Sequence, residues 1–86
     1  MTGSDPRITL VGKPGCHLCD EARTVIERVC AETGERFGEV SIYDDLEMAD
    51  LYWELIPVTL VDGVQLSTWR VDAQELRAAL SVPRPA

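Results

Sequence analysis

The chain is short of cations. Its 86 residues hold eight Lys and Arg, only one of them lysine, against fifteen Asp and Glu, for a formal net charge of −7. A surface with that balance lacks the basic footprint that nucleic acid or an anionic membrane surface requires, so neither is expected as a partner. Long apolar runs are also missing, since none approaches the ~18 residues of a membrane-spanning helix. The opening Met1-Thr2-Gly3-Ser4-Asp5-Pro6 has neither the basic nor the apolar region of a secretory signal, and a cytoplasmic location is expected. Histidine occurs once and cysteine three times, which is few for a metal centre. An odd cysteine count argues against a secreted disulfide framework and suits a reducing compartment, with one reactive pair and one leftover thiol. The length leaves no room for a second core, so residues 1–86 are expected to form a single domain.

What is present is a Cys-x-x-Cys pair in Lys13-Pro14-Gly15-Cys16-His17-Leu18-Cys19-Asp20, directly after the apolar run Ile8-Thr9-Leu10-Val11. The spacing predicts a strand followed by a helix that begins at or near Cys16. A sulfur there sits beside backbone N–H groups without intrahelical partners, at the positive end of the helix dipole, and that favours thiolate over thiol. Cys19 lies one turn on and on the same side. Three residues of helical rise put the two Cα atoms roughly 5 Å apart, within disulfide reach. Two other roles compete with redox chemistry. Zinc would need four ligands, and only Cys30 and His17 remain, the first about 16 Å further down the helix by rise and the second about 100° around it. An inert structural disulfide is the other alternative, uncommon in a small chain without a secretory signal.

The run Ile8–Val11 suits a strand buried on both faces. A helix from about Cys16 to Thr33 follows, with Ala22, Val25, Ile26, Val29 and Cys30 at the spacing of one buried stripe and Gly34 as its stop. Cys30 lies on that stripe and reads as a small core hydrophobe. Val40–Tyr43 is the second predicted strand, parallel to the first because a crossover helix separates them. Asp44 and Asp45 can cap a short helix over Leu46–Leu55. Val58–Val61 and Val64–Ser67 flank Asp62-Gly63, the two-residue signal for a type I′ hairpin. Asp72 to Glu75 is a capping-box-like start for a last helix that turns Leu76, Ala79 and Leu80 inward and ends at Pro83 and Pro85.

This β-α-β-α-β-β-α order, with Cys-x-x-Cys after the first strand and Ile56-Pro57 before the third, resembles the thioredoxin superfamily. Within it the chain is similar to small bacterial glutaredoxin-like proteins, through Lys13-Pro14-Gly15-Cys16-His17-Leu18-Cys19-Asp20-Glu21-Ala22. The resemblance spans about residues 7–81. It implies an α/β thioredoxin-like fold, a four-stranded mixed sheet flanked by three helices. It also implies thiol-disulfide oxidoreductase activity, with Cys16 as nucleophile and Cys19 as resolving thiol. Pro57 would be a cis-proline facing the pair, leaving the backbone of Ile56 free to meet a substrate. Lys13 and His17 flank the nucleophile and are expected, with Ile56, Pro57 and Arg70, to meet the substrate, while Asp20 and Glu21 set negative charge against Lys13 near the thiolate. No bound cofactor is expected beyond the redox-active disulfide itself, with a low-molecular-weight thiol as reductant. The expected partners are that thiol or a disulfide-containing protein, and the chain is expected to be a monomer. Glutathione-using relatives carry Gly-Gly after the hairpin, where this chain has Ser67-Thr68-Trp69-Arg70-Val71-Asp72. Side chains at Ser67 and Thr68 would fill space needed for close backbone approach, while Arg70 could bind the carboxylate of another thiol ligand. A non-catalytic binding protein of the same fold, and a dimer bridging a metal or iron–sulfur cluster through Cys16, are the rival functions.

Overall fold

The computed structural model describes residues 6–83. Strands β1 (Ile8–Gly12), β2 (Phe37–Ser41), β3 (Val58–Val61) and β4 (Val64–Thr68) alternate with helices α1 (His17–Thr33), α2 (Leu46–Tyr52) and α3 (Ala73–Ser81). The sheet order is β2-β1-β3-β4. The β1–β2 pair is parallel, and the β1–β3 and β3–β4 pairs are antiparallel. This is the four-stranded mixed sheet and three-helix set of a thioredoxin-like fold. No helix among the described residues is long and apolar enough to cross a membrane.

The central strands β1 and β3 are apolar on both faces, and each face has its own cover. Ile8 and Leu10 of β1 and Val61 of β3 join Ala22, Ile26 and Val29 of α1 and Leu76 and Leu80 of α3 in one cluster. On the other face Val11, Val58 and Leu60 pack with Ile42, Met48, Tyr52, Leu55 and Ile56. Cys30 and Phe37 are partly buried against the first cluster. The stripe expected on α1 is therefore its core face, with Cys30 at the edge.

Two boundaries differ from those the residues suggested. The second strand runs over Phe37–Ser41 rather than Val40–Tyr43, because its register is set by β1, from Ile8 opposite Phe37 to Gly12 opposite Ser41. Ile42 adds one last bond, its N–H donating to the Gly12 carbonyl at 2.9 Å, and Tyr43 is exposed beyond it. Helix α2 stops at Tyr52, three residues before the predicted end at Leu55. The chain must extend into β3, and the residue before a proline is sterically kept out of the helical region. At the hairpin, Asp62 (φ 53°) and Gly63 (φ 82°) both take the positive φ of a type I′ turn. Strand β4 then gains one residue over β3, as Leu60 pairs with Gln65 but Thr59 with Ser67. Of the prolines expected to end α3, Pro83 follows the cap residue Val82. Pro85 and residues 1–5 lie outside the described residues.

Arg7 was not anticipated as a structural residue. Its guanidinium donates to Asp62 Oδ1 and Oδ2 at 3.1 and 2.7 Å and to the Leu80 and Val82 carbonyls at 3.1 and 2.7 Å. One planar fork thus joins the entry to β1, the hairpin turn and the otherwise orphaned carbonyls at the end of α3.

Candidate active site

Strand β1 ends at Gly12, and Lys13-Pro14-Gly15 carries the chain to the helix. Gly15 makes that turn at φ 74°, a conformation that costs other residues steric strain. Cys16 is the N-cap of α1, with extended backbone and a sulfur that accepts the Cys19 N–H at 3.2 Å. The Asp20 N–H donates to the Cys16 carbonyl at 3.1 Å, the first bond of the helix ladder. A sulfur here occupies the place usually given to a serine or aspartate oxygen, and negative charge on it would be met by the Cys19 N–H and the helix dipole.

Cys16 and Cys19 are disulfide-bonded, with Cα atoms 5.1 Å apart, the separation expected from one turn of rise. The two sulfurs differ in access, because Cys16 is half-buried whereas Cys19 is 1% exposed. Cys30 stands apart on the core face. Burial first, then the Glu35 and Glu27 carboxylates, holds its thiol above the ordinary cysteine range. Among the described residues, no group of three or more His, Cys, Asp or Glu side chains is arranged to hold a metal ion.

The Ile56–Pro57 bond is cis and Pro57 is buried. Val58 pairs with Val11, so Pro57 sits one residue before the paired end of β3, at the edge of the sheet where β1 gives way to the Lys13–Cys16 loop. The Pro57 carbonyl accepts the Trp69 N–H at 2.7 Å, and the Trp69 indole N–H reaches the Glu54 carbonyl at 3.4 Å. Cis-proline, hairpin exit and cysteine loop are thereby gathered at one end of the sheet. Ile56 is half-buried beside them.

Lys13, His17 and Arg70 are exposed, but they do not share one neighbourhood. Lys13 lines a cavity of about 320 Å³ with Gly12, Cys19, Arg23, Glu39 and Asp44, on the β2 side of α1. His17 and Arg70 meet on the other side through Glu21, a motif residue whose pairing with them the sequence did not suggest. Glu21 lies 3.2 Å from His17 Nε2 through one carboxylate oxygen and 3.5 Å from an Arg70 guanidinium nitrogen through the other. The available signal was the i, i+4 spacing of His17 and Glu21. Beneath this bridge a groove of about 180 Å³ is lined by Glu21, Ala22, Val25, Trp69, Arg70 and Val71.

Ser67 and Thr68 stand where glutathione-using relatives carry Gly-Gly. Both are strand residues, paired with Thr59 and Val58. The residue that leaves ordinary backbone space is Trp69, at φ 64°, a bulky side chain in a conformation that favours glycine.

Comparison with known proteins agrees with this geometry. The crystal structure of protein XcR50 from X. campestris superposes with a TM-score of 0.71 at 35% identity, over 88% of this chain and 99% of that one. Its solution structure gives 0.70 at 33% identity, over 92% and 99%. The solution structure of protein Ne2328 from Nitrosomonas europaea, 21% identical, shares the fold at a TM-score of 0.73 over 86% of this chain and 89% of that one. No curated protein shows significant similarity. The family model for the glutaredoxin-like domain (DUF836) matches residues 7–81, and with the cysteine pair, cis-proline and strand order all in place the chain belongs to that glutaredoxin-like family.

Proposed function

We propose that this chain is a thiol-disulfide oxidoreductase in which Cys16 attacks and Cys19 resolves. The observation that carries the proposal is the asymmetry of the pair: Cys16 caps α1 with its sulfur accepting an N–H, while Cys19, bonded to it, is buried. In the reduced protein the Cys16 thiolate attacks a disulfide R–S–S–R′, forming a Cys16–S–S–R bond and releasing R′S⁻. Cys19 gives up its proton and attacks the Cys16 sulfur, so the internal disulfide forms as RS⁻ leaves and takes up a proton. A low-molecular-weight dithiol or a pair of thiols returns the protein to the reduced state.

The substrate is a protein disulfide or a low-molecular-weight mixed disulfide, met by Ile56, backed by the buried Pro57, and by His17 and Arg70, with Lys13 supplying positive charge beside the loop. The protein works as a cytoplasmic monomer without a bound cofactor. Glutathione is a poor reductant for it, because Trp69 occupies the positive-φ position with a large side chain, Arg70 is engaged by Glu21, and the net charge is −7.

Iodoacetamide labelling of the reduced protein near pH 6 tests the assignment. Cys16 should react first and Cys30 slowly, in keeping with the raised pKa of the latter. Cys19→Ser should trap a mixed disulfide on Cys16, and Cys30→Ser should keep activity. Preferential labelling of Cys19 or Cys30 would refute the roles given. A protein that forms the disulfide but never turns over would be a binding module, and a coloured dimer would be a cluster carrier. Reduction of the mixed disulfides of several low-molecular-weight thiols, assayed side by side, identifies the reductant.

A further inference from the structure

Gly12 is the last residue of β1, and it is buried. It pairs with Ser41, and its carbonyl accepts the Ile42 N–H. Its backbone does not require glycine. The described glycines at positive φ are Gly15, Gly34 and Gly63, whereas Gly12 has the ordinary conformation of a strand residue. What excludes a side chain is a sulfur. A Cβ built on Gly12 would lie 2.8 Å from Cys19 Sγ and 3.4 Å from Cys19 Cβ. The first distance is closer than real Cβ contacts come, and Cys19 is not the loose end of a flexible chain. Its Cβ is fixed on α1 and its sulfur is bonded to Cys16. A glycine inside a strand often marks such a close approach.

We propose that Gly12 is a positioning residue for Cys19, the bare floor on which the resolving sulfur sits. The kinetic part of this inference rests on the oxidoreductase reading; the seating itself does not. In the resolving step the Cys19 sulfur must approach the Cys16 sulfur of a Cys16–S–S–R intermediate, forming the internal disulfide as the bond to R breaks and RS⁻ departs with the proton Cys19 released. A methyl group on residue 12 displaces the attacking sulfur from its seat. The preceding attack uses Cys16 alone and does not involve that seat.

Gly12→Ala, made in the wild type and in Cys19→Ala, tests the seating by its sign. At an ordinary φ, Gly→Ala stabilises a protein by restricting the unfolded chain unless something in the folded state resists it. The denaturation midpoint should therefore fall when Cys19 is present and stay level or rise when Cys19 is alanine. Failure to fold only in the Cys19 background supports the seat as well. The same loss in both backgrounds, or unfolding in both, overturns it. Stopped-flow reaction with a disulfide then reads the kinetic role. Gly12→Ala should form the mixed disulfide at the wild-type rate but hold it severalfold longer, which a generally loosened strand would not produce. An unchanged lifetime overturns the positioning role. Sign reversal in the stability cycle with no turnover by the wild type would uphold the seat and overturn the oxidoreductase reading instead.

Discussion

A single carboxylate at the edge of the site reaches both His17 and Arg70. Glu21 bridges His17 and Arg70 across the groove beside Trp69, so Arg70 already has the kind of partner a substrate carboxylate would be. Glu21→Gln removes that competitor. KM for a carboxylate-bearing disulfide such as cystine should then fall about three- to fivefold relative to a neutral one such as hydroxyethyl disulfide, the size appropriate to an exposed ion pair. Arg70→Gln should reverse the preference. Equal KM ratios in wild type and Glu21→Gln would rule out Arg70 as the carboxylate site. That Cys16 and Cys19 would come together was legible from spacing alone, because one helical turn dictates which atoms meet. The bridge made by Glu21 was not, since its second partner, Arg70, is brought beside it only by the fold.

Helices α1 and α3 are joined at the surface by Arg77, which donates to both carboxylate oxygens of Glu32 at 2.7 and 3.1 Å. Those hydrogen bonds hold the Glu32 carboxyl below its usual range. A carboxyl depressed in the folded state adds stability above its unfolded pKa and loses it as pH falls through the folded value. The Tm difference between wild type and Arg77→Gln should accordingly be largest near neutrality, shrink below about pH 4.3 and vanish in stronger acid. A difference that stays constant down to strong acid would assign the effect of Arg77 to packing. At this scale the sequence located strongly patterned elements well. The caps Gly34, at φ 79°, and Asp72, which accepts the Gln74 and Glu75 N–H groups at 2.7 and 3.2 Å, are where their local chemistry placed them. Strand β2 slid toward Phe37 because pairing with β1, rather than its own residues, defines it.

The whole molecule carries a net charge of −7, and beside the cysteine pair Lys13 and Arg70 are cationic residues set against it. Anionic disulfides are repelled from a distance, and salt screens that repulsion beyond a Debye length of about 8 Å at physiological ionic strength. Turnover of oxidised glutathione at low substrate concentration should rise with added NaCl, while turnover of hydroxyethyl disulfide stays flat. A fall with salt for the anionic substrate would mean that local capture by Arg70 or Lys13 outweighs the global charge.

The residues by themselves determined the order of elements, the reactive pair, its place at a helix start and the type I′ hairpin. Each depends on contacts within a few positions of the chain, where periodicity, caps and turn chemistry act directly. Tertiary structure decided which side of α1 each charged residue serves, so that Lys13 faces the cavity beside Cys19 and Arg70 the groove beyond Glu21. It also put a positive φ at Trp69, because pairing with β3 keeps Ser67 and Thr68 in the sheet and the chain turns out of it at the next residue. The role of Arg7 and the bare surface of Gly12 arise in the same way. Each is defined by atoms that only the folded chain brings together: the end of α3 for one and the Cys19 sulfur for the other.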